Sequence, residues 1–485
     1  MNATHLLIWI PLVPLLALLG VLACARRPNL REGFSIAAGA LTFALVVMLA
    51  EGVQSGAAPM LVLAEPFPGL QIALSPEPLG LLFALIASFL WPVTILYAIG
   101  YMRAHHEQNQ TRFYASFAVS IAATLGIALA ANMLTLFLFY ELLTLATYPL
   151  VTHAGNDAAR RAGRVYLGIL MGTSVGFLLL AMVWTWQLTG TLDFTRGGVF
   201  AADADHGILN VLLVLYVFGT GKAALMPFHR WLPAAMVAPT PVSALLHAVA
   251  VVKAGVFTIL KVAVYLFGID LIAELAVADW LAGLAALTIV LASLVAMTRD
   301  NLKARLAYST ISQLSYIILG AMLGVAAGVV GGGLHIAMHA FGKITLFFCA
   351  GAIMVAAHKT RVSELDGLGR RMPLTMIAFM VGALSIIGLP PFGGTWSKWL
   401  LVQGTLDNGI WLLTAALLVS SLLNVMYLLV IPVRAFFREP PADQEGEGGE
   451  APLVSLLAIG VAVTGCLLLF FLPDPIHQLV AGVLR

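Results

Sequence analysis

Predominantly apolar runs of eighteen or more residues recur along the whole chain, and they constrain its fold more than any other feature. A run of that length is enough to cross the hydrocarbon core of a bilayer as an α-helix. Charged residues make up only 10% of the chain, whereas about 25% is usual in soluble domains. Water therefore cannot be the main solvent of this surface, and the sequence predicts an all-α, polytopic membrane protein.

Segmentation by hydropathy predicts about fourteen transmembrane helices. Their expected bounds are 4–25, 33–53, 78–101, 113–130, 132–152, 164–188, 208–227, 241–267, 278–298, 303–322, 327–357, 374–403, 408–433 and 451–472. The longest polar segments between them, roughly 54–77, 190–207 and 434–450, are too short to build a core of their own. We therefore expect no separate soluble domain.

Lysine and arginine are distributed unevenly between the predicted loops, and this gives an orientation. Cytoplasmic loops of membrane proteins collect these residues. The loops that follow odd-numbered spans contain eighteen of the 25, whereas the opposite face contains only Arg196 and Arg485. An error in the number of spans would scramble this alternation. The pattern favours fourteen spans in the cell (inner) membrane, with both termini on the non-cytoplasmic side.

Five lysines and one glutamate lie inside the predicted spans. They are Glu141, Lys222, Lys253, Lys261, Lys343 and Lys398. A charged side chain at mid-bilayer costs about 2.5–3.5 kcal/mol on insertion scales, faces the bundle interior and usually marks an ion route. The alternative is a lysine near a helix end that only reaches the headgroups. Lys261, the second lysine of its helix, leaves that alternative open.

Proline and glycine interrupt two of the spans that carry lysine. Met226-Pro227-Phe228-His229 follows Lys222, so we expect the seventh span to lose its helical hydrogen bonds just after that lysine. Residues 388–394, with two adjacent prolines, interrupt the twelfth span shortly before Lys398. Unwound backbone at membrane depth is tolerated only where it is buried in protein or lines a wet cavity. A pair of broken helices therefore points to a transporter's site.

The spacing of these breaks indicates an internal repeat. Pro227 and Pro390 are 163 residues apart, and the fourth and ninth spans begin near 113 and 278. Two tandem repeats of five helices must have inverted topology, because five is odd. The predicted organisation is three N-terminal helices (1–112), a first, proton-conducting repeat (113–267), a second repeat (278–433), and a cytoplasmic loop with the last helix (434–485).

Histidines form a stripe on the eleventh span. His335, His339 and Lys343 are spaced i, i+4, i+8 and share one face, and His247 lies deep in the eighth span. The stripe could relay protons, because imidazole titrates near neutrality; it could also be inert core or ligate haem or a metal. Neighbouring lysines make ligation unfavourable, and the three cysteines have no metal-binding spacing. We expect neither cofactor nor metal.

Five blocks of sequence resemble one family of membrane proteins. GKAALMPFHRWLPAAMVAPTPVSALLHAVAVVKAGVF (221–257) is similar to the most characteristic stretch of the proton-translocating, antiporter-like subunits of respiratory complex I, Mrp-type sodium/proton antiporters and membrane-bound hydrogenases. The other blocks are FYELL (139–143), DNLKARLAYSTISQLSY (300–316), HIAMHAFGKITLFFCAG (335–351) and GLPPFGGTWSKW (388–399). The resemblance covers roughly residues 75–435, and the five blocks stand in the family's order.

The resemblance implies roles for the buried residues. It implies that Glu141 forms an ion pair with Lys222 of the broken seventh span. Because a nearby carboxylate favours the charged lysine and burial favours the neutral one, we expect a movement of Glu141 to switch Lys222 between holding and releasing its proton. The polar line that the resemblance implies along the membrane midplane continues through Lys253 with His247 nearby, through His335, His339 and Lys343, and ends at Lys398.

Departures from the family's patterns narrow the expected function. Lys398 stands where one complex I branch has glutamate, Gln313 stands where several complex I members have histidine, and WLPAAM (231–236) replaces the usual WLPDA. With its length, the chain most resembles the D-type subunit of an Mrp antiporter, which exchanges monovalent cations (Na⁺) for protons together with other membrane subunits. The alternative is a subunit of a complex I (NADH:quinone oxidoreductase)-type, hydrogenase or inorganic-carbon-uptake complex, and only such an assembly would make it part of an enzyme.

Two other functional classes stay open at this point. The membrane anchor of a redox enzyme would need a pair of haem ligands or an amphipathic quinone tunnel, and the sequence indicates neither. A structural scaffold, with its lysines satisfied by neighbours, predicts that Lys→Met changes spare transport and alter assembly. The net charge of +2 gives no indication of a nucleic-acid partner.

Overall fold

The computed structural model describes residues 3–201, 203–440 and 449–484, and this part of the chain is mostly helical. Its α-helices are α1 (Ala3–Ala23), α2 (Pro28–Gln54), α3 (Pro78–Ala104), α4 (Gln110–Ala128), α5 (Met133–Val151), α6 (Asp157–Thr173), α7 (Leu179–Thr189), α8 (His206–Gly219), α9 (Trp231–Ala234), α10 (Thr240–Ala244), α11 (Val251–Lys261), α12 (Ile269–Glu274), α13 (Ala276–Thr298), α14 (Leu302–Met322), α15 (Ala326–Ala357), α16 (Pro373–Ile387), α17 (Gly394–Asn408), α18 (Trp411–Asn424), α19 (Val430–Phe437), α20 (Leu453–Phe471) and α21 (Asp474–Ala481).

Shorter elements join or interrupt these helices. The π-helical turns are Ser174–Leu178, Leu245–Val249, Val262–Phe267 and Val425–Leu429, and the 3₁₀ turns are Gly221–Ala223, Ala235–Val237, Val362–Glu364 and Leu368–Arg370. Strands β1 (Leu61–Phe67) and β2 (Leu70–Leu74) pair as an antiparallel hairpin between α2 and α3. The hairpin occupies one of the polar segments that separate the apolar runs.

The helices coincide with the spans predicted from hydropathy. Within the described residues, ten helical segments are long and apolar enough to cross a membrane, and α8 and α16 are shorter apolar helices. The remaining predicted spans correspond to α14 and to the composite segment from α10 to the π-helical turn Val262–Phe267. The all-α membrane fold is confirmed, while the count of fourteen crossings and the side of each terminus stay predictions.

The seventh predicted span breaks before its lysine instead of after it. α8 ends at Gly219, and Lys222 lies in the 3₁₀ turn Gly221–Ala223, well ahead of Pro227. The expected position of the break was wrong because it was inferred from proline alone. Glycine at 219 and again at 221 already lowers the propensity for helix.

The twelfth predicted span breaks where the sequence indicated. α16 ends at Ile387 and α17 begins at Gly394, with the two prolines between them. Gly388 has φ of +90°, a conformation that residues with a Cβ rarely adopt. A Cβ at this position would also lie only 2.7 Å from Lys398 Cδ. The break therefore needs glycine both for its backbone and for space beside the lysine.

α15 is the longest α-helix and packs against many others. Its 32 residues pack against α3, α10, α11, α14, α16, α17 and α20. π-Helical turns begin at Val262 and at Val425, which are 163 residues apart, the same spacing as between Pro227 and Pro390. This spacing agrees with the proposed repeats, whose bounds and inversion stay predictions.

Candidate functional site

Lys222 is fully buried, and its side chain is hydrogen-bonded to α5. Its Nζ donates hydrogen bonds to the backbone carbonyl of Tyr140 at 2.8 Å and to the hydroxyl of Thr144 at 2.6 Å. It also lies 3.1 Å from the centroid of the Tyr140 ring, and the Lys222 backbone N–H donates to Tyr140 Oη at 3.1 Å. Neutral oxygens and an aromatic face therefore hold this amine.

Glu141 does not make the ion pair with Lys222 that the resemblance implied. Among the described residues, its buried carboxylate oxygens have no hydrogen-bond partner, and neither lies within 4 Å of Lys222 Nζ. Tyr140 and Thr144 are four residues apart and share the face of α5 toward the lysine. Glu141 follows Tyr140 and is rotated by about 100° around the helix. The lysine therefore contacts the neighbours of Glu141 in place of its carboxylate.

Two glycines fix the turn that carries Lys222. A Cβ at Gly255 on α11 would come closer than 3.0 Å to the backbone of Lys222 and Ala223. A Cβ at Gly221 would collide in the same way with the side chain of Thr173 on α6. Because backbone atoms cannot move aside as a flexible side chain can, only glycine permits this close approach of α11.

Lys253 connects the two halves of the predicted path. It is fully buried on α11, and its Nζ lies 2.5 Å from Nδ1 of His339 on α15. An amine and an imidazole can each hold or accept a proton, so the pair can share one. His247, expected near Lys253, lies in the π-helical turn before α11, and its side chain is outside the described part of the structure.

Lys343 is held by α14. Its Nζ donates to Ser309 Oγ at 2.6 Å and to the carbonyl of Leu306 at 3.3 Å. Tyr427, in the π-helical turn Val425–Leu429, donates from its hydroxyl to the same Ser309 Oγ at 2.9 Å. Ser309 thus joins the lysine to a second hydroxyl group from another helix.

Lys398 lies beside the break of the twelfth span. Its Nζ donates to the carbonyl of Ile387, the last residue of α16, at 3.0 Å and to Ser421 Oγ at 3.1 Å. It also lies 4.8 Å from the centroid of the Tyr316 ring. His335 also stacks on that ring, at a centroid distance of 5.6 Å. Tyr316 therefore lies between the lysine and the histidine stripe.

His335, His339 and Lys343 are all buried on α15, and each contacts a different helix. His335 Nδ1 lies 2.9 Å from Ser397 Oγ on α17, while His339 contacts Lys253 on α11. The two imidazole rings are 5.9 Å apart between centroids. The predicted stripe exists, and it links α11, α14 and α17 through one helix.

Gln313 lies on α14 between two of these lysine environments. It is four residues from Ser309 and three from Tyr316, so the three side chains share one face. The residue is fully buried, and neither polar atom of its amide has a partner among the described residues. Leaving such a group unsatisfied costs about 1–3 kcal/mol. Gln313 therefore differs from Ser309 and Tyr316 on the same face, whose side chains both have protein partners.

Lys261 differs from the other lysines because it has a counter-charge. It is fully buried, donates to the carbonyl of Ala130 at 2.9 Å and forms an ion pair with Glu77 Oε1 at 3.2 Å. Glu77 also accepts hydrogen bonds from two backbone N–H groups at the start of α3 and from Tyr265 Oη. The lysine therefore helps to cap α3 and does not extend to the headgroups, the alternative that the sequence left open.

The four remaining lysines share one chemical property. Among the described residues, no carboxylate oxygen lies within 4 Å of the Nζ of Lys222, Lys253, Lys343 or Lys398. Their partners are hydroxyls, carbonyls and an imidazole. A hydroxyl or imidazole can accept from an ammonium or donate to a neutral amine. Such partners accommodate both protonation states, and the arrangement is able to hold and pass protons.

Sequence reasoning found the titratable residues and missed their neutral partners. Tyr140 and Thr144 could have been recognised, because together with Thr147 they are spaced i, i+4, i+7 along one face of a mostly apolar span. Ser309 and Ser421 could not have been recognised from the sequence. They lie on other helices than Lys343 and Lys398, to which they are hydrogen-bonded, and serine is common in transmembrane helices.

Comparison with known proteins places this site in a family. The model of the family described as NADH:quinone oxidoreductase/Mrp antiporter, TM, matches residues 130–424, a segment that contains all four of these lysines. NADH-quinone oxidoreductase subunit N of Desulforudis audaxviator is 32% identical over 465 residues, which are 93% of this chain and 89% of that protein. The A/B subunit of a probable K⁺/H⁺ antiporter from Rhizobium meliloti is 30% identical over 431 residues, 86% of this chain and 42% of that protein.

Solved structures show the same fold over the whole chain. A chain of the Mrp complex from Dietzia sp. superposes with a TM-score of 0.87 at 23% identity, covering 100% of this chain and 97% of that one. A chain of the membrane-bound sulfane sulfur reductase, an archaeal respiratory membrane complex, superposes with a TM-score of 0.84 at 23% identity, covering 99% and 98%. Since the family match spans more than half of the sequence, this multi-pass membrane protein belongs to the NADH:quinone oxidoreductase/Mrp antiporter family.

Proposed function

We propose that this chain is the proton-translocating subunit of a multisubunit monovalent cation (Na⁺)/proton antiporter and corresponds to the D-type subunit of Mrp antiporters. The observation that carries the proposal is the 2.5 Å contact between Lys253 Nζ and His339 Nδ1. It brings together titratable groups from α11 and α15, and so joins buried lysines that lie on both sides of it along the chain. A scaffold would not need groups that exchange protons at this junction.

Protons move along the midplane in steps between neighbouring groups. Lys222 exchanges its proton while Tyr140 and Thr144 hold the amine in place. Glu141 controls that step: its carboxylate favours the ammonium form of Lys222 when it approaches, and burial favours the neutral amine when it withdraws. The side chains of the second half are Lys343 and Lys398, with the stripe of histidines on α15 between Lys253 and Lys398.

Several observations support a role inside a larger complex. The antiporter relative is named as a subunit, and both structural neighbours are chains of larger complexes. We place the complex in the cell membrane, with the arginine-rich loops in the cytoplasm and both termini on the other side. In this arrangement the chain moves protons, and the partner subunits contribute the cation route or the driving force.

A second candidate function is favoured by one specific comparison. The relative from Desulforudis audaxviator, whose name is NADH-quinone oxidoreductase subunit N, matches this chain over nearly the full length of both proteins. The same lysines would then move protons in a complex I-type assembly, where electron transfer supplies the energy. The two candidates differ in what drives transport and not in which residues carry the proton.

The proposal is tested in everted membrane vesicles that contain this chain together with the proteins encoded by the rest of its gene cluster. The same experiment separates the two candidates. Sodium and pH gradients are imposed without a reductant, and then a reductant is supplied. Wild type is compared with Lys222→Ala and with Arg160→Ala, which removes a positive charge from an exposed position at the start of α6. The amount of the chain in the membrane is measured in each case.

Each result has a distinct meaning. Sodium-dependent proton exchange without reductant, lost in Lys222→Ala and kept in Arg160→Ala, supports the antiporter. Proton pumping only with reductant, with the same dependence on Lys222, supports the second candidate. Unchanged transport by Lys222→Ala at normal membrane levels contradicts both.

A further inference from the structure

Gln313 is a buried amide in the middle of α14 whose neighbour along the chain is fully hydrogen-bonded. Ser312 Oγ lies 3.0 Å from the carbonyl oxygen of Ile289 and 3.0 Å from the hydroxyl of Ser293, both on α13. It also lies 3.3 Å from the hydroxyl of Ser420 on α18. Gln313 is equally buried, yet within the described residues neither its amide oxygen nor its amide nitrogen has a hydrogen-bond partner. Such groups are typically satisfied by a buried water molecule.

Two contacts between α14 and α15 establish which way Gln313 faces. Ser309 is hydrogen-bonded to Lys343, and the ring of Tyr316 stacks on His335. Gln313 is four residues after Ser309 and three before Tyr316, so it lies on the face of α14 that carries these two residues. The amide of Gln313 is therefore directed toward α15.

The same two contacts fix the level of Gln313 along α15. Residue numbers rise along α14 as they fall along α15, so the two helices are antiparallel. Both rise by 1.5 Å per residue, so the position level with Gln313 is about four residues before Lys343. That position is His339, which contacts Lys253 on α11. Gln313 therefore lies beside the junction of α11 and α15.

A proton at the contact between Lys253 and His339 still has to reach Lys343. His339 and Lys343 are four residues apart, which is about 6 Å along the axis of α15. The amine of Lys343 is hydrogen-bonded to Ser309 and to the carbonyl of Leu306 on α14, and so points away from the level of His339. Proton transfer requires heavy atoms about 2.6–3.2 Å apart, or one water between them. A bridging group is therefore needed between these two levels.

The amide of Gln313 is suited to hold such a bridge and not to be one. An amide does not titrate, but it donates from its NH₂ group and accepts at its oxygen. A buried water makes about three hydrogen bonds. Beside Gln313, the imidazole of His339 and the amine of Lys343 can supply the further partners of a water at this level.

We propose that Gln313 positions a water molecule that carries protons between the Lys253–His339 pair and Lys343. The inference rests on the proposed function and adds a positioning residue to it. The imidazolium of His339 gives a proton to the water while the water gives one of its own protons to the neutral amine of Lys343. The water is regenerated, and one positive charge has moved from the imidazole to the amine. Gln313 only holds the water in line.

The test is the proton flux of three variants in everted vesicles that contain this chain with the proteins encoded by the rest of its gene cluster. Gln313→Met keeps an unbranched side chain of similar length and removes the amide. Gln313→His restores one hydrogen-bond donor and one acceptor. Ser315→Ala is the matched control. It removes a buried hydroxyl that is bonded within α14 and lies about 200° around the helix from Gln313.

The amount of assembled complex and the melting temperature of the purified complex are measured in parallel. We expect Gln313→Met to lower proton flux by at least about tenfold, because the water loses its position. Assembly and melting temperature should stay at the wild-type level. Gln313→His and Ser315→Ala should keep most of the flux.

Three results would overturn the inference. The first is wild-type flux in Gln313→Met. The second is a loss of flux that is accompanied by a lower melting temperature or poorer assembly, since Gln313 would then have a structural role. The third is an equal loss in Gln313→His, because hydrogen-bonding capacity at this position would then not be sufficient.

Lys222→Ala, measured in the same vesicles, separates the two proposals. Loss of flux in Lys222→Ala together with wild-type flux in Gln313→Met would overturn only the role of Gln313. Wild-type flux in both variants would contradict the proposed function as well.

Discussion

A hydroxyl or an imidazole, which can hydrogen-bond to either form of an amine, contacts each of the four buried lysines that have no counter-charge, Lys222, Lys253, Lys343 and Lys398. Lys261 provides the contrast inside the same protein, because its ion pair with Glu77 favours a permanent charge. Lys222 has a hydroxyl, a carbonyl and an aromatic ring in place of a counter-ion. A proton carrier must lose its charge during each cycle, so the neutral partners of Lys222 fit the proposed transport role. The charged partner of Lys261 fits a structural role.

Lys222→Arg should abolish proton movement although it conserves the charge. Guanidinium hardly deprotonates, so an arginine cannot release a proton to the next group. Proton flux in everted vesicles and the amount of chain in the membrane are the two measurements. Arg160→Lys, an equally conservative exchange at an exposed position, is the control and should keep full flux. Full flux in Lys222→Arg would show that Lys222 does not have to deprotonate.

Lys261→Met should lower thermal stability and leave flux per assembled complex nearly unchanged. The substitution leaves Glu77 without its counter-charge. Breaking a buried ion pair costs about 3–5 kcal/mol of folding stability, and we expect about 3 kcal/mol here because Glu77 is partly exposed. The double variant Glu77→Gln, Lys261→Met should regain part of the loss in melting temperature. A loss of flux in Lys261→Met at normal assembly would instead place this lysine in the proton path.

The residue types of the site were predictable because charge inside an apolar span is costly. Lys253, Lys343 and Lys398 were identified on that ground alone, and His335 and His339 from their spacing. Ser309 was not, since a serine costs little in a membrane helix and its partner lysine is 34 residues away. The separation of Glu141 from Lys222 also required coordinates, because it depends on the rotation of α5.

At the scale of elements, glycine decides where the helices break and how closely they approach. Proline marks the neighbourhood of both breaks in the sequence. The end of α8 at Gly219, however, is displaced from Pro227, and only the structure shows that Lys222 lies in the 3₁₀ turn between them. The close approach of α11 at Gly255 could not be predicted either, since many glycines of the chain lie in open positions.

Gly255→Ala should reduce proton flux by about tenfold or more. The added methyl group must displace the turn that carries Lys222. Small displacements of residues in a site have large effects on rates. Gly168→Ala on α6 is the matched control, because a Cβ there meets no atom within 4 Å. Flux is normalised to the amount of assembled complex. Equal flux in the two variants would mean that the position of the turn does not matter.

At the scale of the whole molecule, α15 brings together helices from both of the predicted repeats, which the sequence could describe only separately. Spacing between the breaks predicted the two halves, and hydropathy predicted the helices. Lys253 and His339 are 86 residues apart, and no periodic pattern connects them. Their contact follows from the packing of α11 on α15, which becomes visible only when the chain is folded.

The most direct test of a continuous proton path is the proton flux of Lys253→Met, measured in everted vesicles at normal levels of assembled complex. Methionine has a similar length and cannot carry a proton, so it interrupts the path at the contact with His339 and leaves Lys222, Lys343 and Lys398 in place. The account predicts a loss of flux as complete as that of Lys222→Ala. Full flux in Lys253→Met would contradict it, because protons would then cross without passing between the two halves.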